Sequence, residues 1–243
     1  MDLILIPGFW LDASSWSGVT PALEAAGHTV HPLTLPGMES VDADRSAITL
    51  QHHIEAVIAV VDGLPGQAVL VGHSGGGAIA WAVADARPER IARIVYVDSG
   101  PLPHDAVIND ELSAEGGEVP LPDWSVFEGE LDDFTDELLA DFRARAIPQP
   151  EHVTSDKQVL SDERRYAVPS TVITTTFPEA QVREMLEQGH PYFAELAKVA
   201  DFEVVELPTS HWPQFTKPKE LAEAIVAAVR NEERRPRSPR SGP

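Results

Sequence analysis

Short apolar runs, most of them ending at glycine or proline, alternate along the chain with longer stretches whose apolar residues recur every three to four positions. The short runs predict strands at 3–6, 29–35, 68–72, 91–97, 171–176 and 203–207. The longer patterns predict helices at about 19–26, closed by Gly27, and at 50–61, 75–87, 180–187, 191–199 and 217–230. Strands this short and this continuously apolar are buried on both faces. Alternated with helices, they make a parallel sheet with crossover helices. The expected fold class is α/β: a mostly parallel six-stranded sheet flanked by helices, which the chain enters directly on a strand.

The rhythm breaks from 101 to 167, where no buried-strand run appears and Asp and Glu crowd the sequence between Asp105 and Asp141. A structureless loop of that length does not suit a compact domain, so a helical lid inserted at the sheet edge is expected. Its aromatic residues Trp124, Phe127, Phe134, Phe142 and Tyr166 need an apolar surface, either the open end of the sheet or a small core of their own. The expected organisation is a core of 1–100 and 168–230, a lid of 101–167 and a disordered tail of 231–243, whose only apolar residues are prolines.

Composition narrows the function classes. The 243 residues are 43% hydrophobic, enough for one sizeable core. Lys+Arg number 18 against Asp+Glu 39, a formal charge of -21 that repels phosphate backbones and anionic membrane surfaces. Neither nucleic acid nor a membrane is an expected partner. With no cysteine, disulfides and thiolate metal sites are excluded. The apolar run Leu3-Ile4-Leu5-Ile6 stops at Pro7-Gly8, too short for a signal-peptide core, and no stretch reaches the roughly 18 apolar residues of a membrane helix. A cytoplasmic protein is expected.

The chemistry-bearing motif is Gly72-His73-Ser74-Gly75-Gly76, running from a buried strand into an Ala-rich helix. This is Gly-x-Ser-x-Gly in the strand-to-helix setting that exposes a serine hydroxyl on a sharp turn. The turn presses Gly72 and Gly76 together, so neither carries a side chain. Ser74 then stands at the C-terminal edge of the sheet, where α/β folds place ligands, and the Gly75 N–H faces a developing oxyanion. His73 is expected to point away from Ser74 and to serve packing.

A serine nucleophile needs a base within hydrogen-bond reach. Among nine histidines, His211 follows the last strand in Thr209-Ser210-His211-Trp212-Pro213 and so returns to the edge that holds Ser74. His28, His31, His52 and His53 are expected at the surface or in packing; His104 and His152 are candidates to line a pocket.

The chain resembles the compact α/β-hydrolases that include plant methylesterases, hydroxynitrile lyases and bacterial esterase-like enzymes. The resemblance rests on Pro7-Gly8-Phe9-Trp10, Trp16, Leu35-Pro36-Gly37, the Ser74 turn and the late His211. Pro7 stands where that family usually has His. The resemblance implies an oxyanion hole from the N–H groups of Phe9 and Gly75, and no cofactor or metal. It also implies an acid that orients His211. Most relatives place this acid after the strand at 171–176, where Glu179 is the nearest carboxylate; a second known location, the end of the preceding strand, matches Asp98. Asp98 is preferred.

The expected function is a serine hydrolase that cleaves a small organic ester, lactone or activated ketone through an acyl-enzyme, with Ser74, His211 and Asp98 as catalytic residues. A receptor-like ligand-binding protein on the same fold is the alternative. Serine at position 74 speaks against the Asp nucleophile of epoxide hydrolases and dehalogenases, and retained Gly8 against a cyanohydrin lyase.

Overall fold

The computed structural model describes residues 1–233. Its sheet strands are β1 (Asp2–Ile6), β2 (Thr29–Pro32), β3 (Ala68–His73) and β4 (Ile91–Val97), followed after a long excursion by β7 (Ser170–Thr174) and β8 (Phe202–Glu206). Two short strands within the excursion, β5 (Glu118–Val119) and β6 (Gln149–Pro150), form a separate antiparallel ribbon. The main sheet has six strands in the order β2-β1-β3-β4-β7-β8, all paired in parallel.

Successive strand residues face opposite sides, so one apolar run serves two cores. Leu3, Leu5, Val69, Val71, Val95 and Val97 pack with Leu23 of α1 (Thr20–Ala25) and Leu221 and Ile225 of α8 (Pro218–Glu233). Ile4, Ile6, Leu70 and Ile94 pack on the other side with Val57 and Val61 of α2 (Leu50–Gly63) and Ile79 and Val83 of α3 (Gly75–Ala86). Burial on both faces is why the central strands β1, β3 and β4 carry no polar alternation, whereas the edge strands β2 and β8 are only partly buried.

Segment 101–167 holds two α-helices, α4 (Asp136–Arg145) and α5 (Glu151–Ser155), besides the ribbon and short 3-10 turns. Its rings find the sheet end rather than only one another. Trp124, Phe127, Phe134 and Phe142 all contact the indole of Trp212, with centroids 5.1 to 6.4 Å away. Tyr166 instead packs on Trp81 of α3. A buried ionic cluster ties the returning chain to α3: Asp85 accepts from the N–H groups of Ser161 and Asp162 and from Arg165, whose guanidinium also meets Glu195.

Several boundaries differ from the sequence expectation. The helix expected at 191–199 is instead two 3-10 turns, Pro191–Phe193 and Leu196–Lys198. Its buried residues Phe193, Leu196 and Val199 are spaced by three, the period of a 3-10 turn and not of an α-helix. A short helix not expected from the sequence, α7 (Pro213–Thr216), precedes α8, and strand β2 ends at Pro32, which has no N–H to extend the ladder. Helix α6 (Glu179–Glu187) begins one residue earlier than expected. Helix α8 runs through Glu233, past the expected start of the tail at 231; residues 234–243 lie outside the described residues.

Candidate active site

Strand β3 delivers Ser74 to the sheet edge in a backbone conformation that few residues adopt, φ 51 and ψ -125. The turn is tight enough that a Cβ on Gly72 would stand 2.6 Å from the carbonyl oxygen of Gly76, and one on Gly76 2.6 Å from that of Ile6. Two hydrogen bonds fix the serine backbone from the next strand: Ser74 N–H donates to the Val97 carbonyl at 3.1 Å, and the Ser99 hydroxyl donates to the Ser74 carbonyl at 2.6 Å. Trp10 (φ 63) and Asp98 (φ 44) share the left-handed conformation. Each such residue costs about 1–3 kcal/mol, and such strain collects where geometry serves function.

The right-handed crossover through α3 sets Asp98 one strand over from Ser74 at the same edge. His211, on the turn after β8, lies between the two. Its Nε2 is 2.8 Å from Ser74 Oγ and its Nδ1 2.6 Å from Asp98 Oδ2. The other carboxylate oxygen, Oδ1, accepts from the N–H groups of Thr175 and Thr176 at 2.8 and 3.2 Å. Burial pushes the Asp98 carboxyl up, but the hydrogen bond and charge of His211 and these two N–H groups outweigh it, holding the group below its ordinary value. Glu179, the other candidate acid, is the first residue of α6 and pairs with Arg183 at helical spacing. Asp98, and not Glu179, meets the imidazole.

The N–H groups of Phe9 and Gly75 have no acceptor among the described residues. Gly75 opens α3, whose first N–H groups are free of intrahelical partners and carry the positive end of the helix dipole. The Phe9 ring lies against Gly75, 2.7 Å from where a Cβ there would sit. The turn bearing Phe9 is braced from the ribbon: Gln149 accepts from Trp10 N–H at 3.3 Å, and Val119 accepts from its indole N–H at 3.0 Å. Pro7, in place of the usual His, closes β1 without loss of this arrangement.

Beside the His211–Asp98 pair lies a cavity of about 330 Å³. Val172, Val182, Phe177 and Phe193 form its apolar walls, and Glu128 and Glu130 join Asp98 in lining it; no Lys or Arg does. His104 and His152 do not line it; their side chains are half exposed. Among the described residues no group of three or more His, Cys, Asp or Glu converges as a metal site requires, and no helix is long and apolar enough to cross a membrane.

Sequence reasoning missed the parts that act through the backbone: the Thr175 and Thr176 N–H groups, the Ser99 hydroxyl, and the Glu130 carbonyl that accepts from His211 N–H at 2.9 Å. It also missed what His53 and His73 do once buried. His53 Nε2 donates to the Pro36 carbonyl at 2.8 Å, and burial lowers its pKa to about 4. Burial, aided by the nearby His211, lowers that of His73 to about 3.

A histidine unfolds to an ordinary value near 6.5, so below that pH the unfolded chain takes up protons that the folded protein refuses. Both contributions to stability are complete above about pH 6.5 and are lost as pH falls toward the folded values. Between pH 7 and pH 5, urea unfolding is expected to show a loss of about 2 kcal/mol per histidine. Equal stability at the two pH values would mean that both imidazoles protonate in place.

The alpha/beta hydrolase family model matches residues 3–224. The chain belongs to the alpha/beta hydrolase family. It is 25% identical to a pyrethroid hydrolase of Sphingobium wenxiniae over 93% of this chain and 86% of that protein. It is 26% identical to methylesterase 3 of Arabidopsis thaliana over 94% of this chain and 95% of that one. An extracellular alpha/beta-hydrolase from a Paenibacillus species has the same fold, with a TM-score of 0.74 at 23% identity, covering 94% of this chain and 98% of the other. The protein is a hydrolase of the esterase type.

Proposed function

We propose that the protein hydrolyses a small organic ester or lactone through an acyl-enzyme on Ser74. The observation that carries this reading is the unbroken chain of hydrogen bonds from Asp98 through His211 to Ser74 Oγ, at 2.6 and 2.8 Å. His211 takes the serine proton as Oγ attacks the substrate carbonyl, and Asp98 stabilises the imidazolium. The N–H groups of Phe9 and Gly75 receive the developing oxyanion. The imidazolium then protonates the leaving alcohol, and water activated by the same His211 releases the acid. An activated ketone would use the same groups, with a carbanion as the leaving group.

The cavity beside His211 is lined by Asp98, Glu128 and Glu130 but not by Ser74, Phe9 or Gly75, so it adjoins the site on the Asp98 side of the imidazole. The complete chain from Asp98 to Ser74 favours turnover over binding alone.

A fluorophosphonate probe tests the reading. One label per chain is expected by intact mass, on Ser74 by peptide mapping, with esters and lactones hydrolysed in a substrate panel. Labelling at another residue, or a folded protein that neither labels nor hydrolyses any member of the panel, overturns it.

A further inference from the structure

His73 is fully buried at the end of β3, next to Ser74. Its Nε2 lies 2.8 Å from the His211 carbonyl oxygen. A carbonyl only accepts, so this nitrogen carries the hydrogen and donates. Nδ1 keeps its lone pair and accepts from the side-chain amide of Gln214 at 3.3 Å, on α7 just beyond His211. The two imidazole rings lie 5.1 Å apart. On its other side the ring abuts the turn that presents Phe9: a Cβ on Gly8 would stand 2.6 Å from His73 Nδ1. One imidazole thus touches the serine turn, the oxyanion turn and the loop that carries His211.

We propose that His73 is a positioning residue whose hydrogen bond to the His211 carbonyl sets where the His211 ring meets Ser74. The role rests on His211 being the general base. The His211 main chain has two anchors, its N–H on the Glu130 carbonyl and its carbonyl on His73. The first belongs to the 101–167 segment and the second to a central strand of the sheet. Removing the second leaves a carbonyl without a partner and lets the short turn before α7 rotate. A displacement of about 1 Å between base and nucleophile costs about a hundredfold in rate. Burial keeps His73 neutral, so it holds the donor hydrogen on Nε2 and adds no positive charge beside His211.

The test compares two amides at this position in the full chain. The Gln side-chain nitrogen reaches the place of the histidine Nε2, whereas that of Asn reaches only the place of Nδ1. His73→Asn is expected to lower kcat on an activated ester, and the rate of fluorophosphonate labelling, by about 30-fold, with KM within about twofold. His73→Gln is expected to recover most of both rates, and the two variants to melt within a few degrees of each other. Equal kcat in the two folded variants, or a fall in melting temperature with kcat unchanged, overturns the role. If the parent protein is not labelled, the proposed function fails and this role with it. If the parent is labelled and both variants react at equal rates, only the role of His73 fails.

Discussion

Replacing His211 with alanine is expected to lower turnover by about a thousandfold or more, and Ser74→Ala by as much. His211 is the only group within hydrogen-bond reach of Ser74 Oγ, at 2.8 Å, among the described residues. A serine hydroxyl without a base is a weak nucleophile, and a base without its serine has nothing to activate, so either loss removes the unit. The double variant is expected to lose little beyond either single one, because nucleophile and base act together. Residual rate from the Phe9 and Gly75 N–H groups should survive in each. The measurement is kcat on an activated ester, with circular dichroism to show that the fold is kept. A loss below about tenfold for His211→Ala would assign the proton transfer to another group.

Asp98→Asn is expected to lower turnover by at least about a hundredfold with little change in melting temperature. The structure says how an amide would sit. The Thr175 and Thr176 N–H groups donate to Oδ1, so the amide carbonyl takes that place and the amide NH₂ faces His211 Nδ1. The imidazole must then accept at Nδ1 and carry its hydrogen on Nε2, the nitrogen that should take the serine proton. An amide also offers no charge to stabilise the imidazolium. Volume and backbone contacts are kept, which is why stability changes little. Glu179→Gln is expected to stay within about threefold of the parent, since Glu179 pairs with Arg183 and reaches no part of the site. The reverse pattern, an active Asp98→Asn and an inactive Glu179→Gln, would return the acid to Glu179.

The outcome at these two carboxylates shows where local information stops. The strands, the alternation with helices and the serine turn are legible along the chain because each depends on neighbours in sequence. A continuous apolar run needs two covered faces, and Gly72 and Gly76 are small because the turn brings them within van der Waals contact. His211 was also legible, since a turn after a parallel strand comes back to the same edge. Asp98 was preferred over Glu179 on a resemblance, but the choice is not a local one. It depends on β4 lying beside β7, which brings Asp98 under the Thr175 and Thr176 N–H groups and within 2.6 Å of a histidine 113 residues away. The same holds for His73, expected only to pack, whose donor hydrogen reaches across 138 residues to a backbone carbonyl. The rings of Trp124, Phe127, Phe134 and Phe142 pointed to the sheet end as one of two targets but not to Trp212, and the ribbon that braces Trp10 showed no strand pattern because each strand is two residues long. Chain-local sterics and burial determined the framework and the Ser74 turn; the partners that hold His211 in place were decided by which strands and turns the tertiary fold makes neighbours.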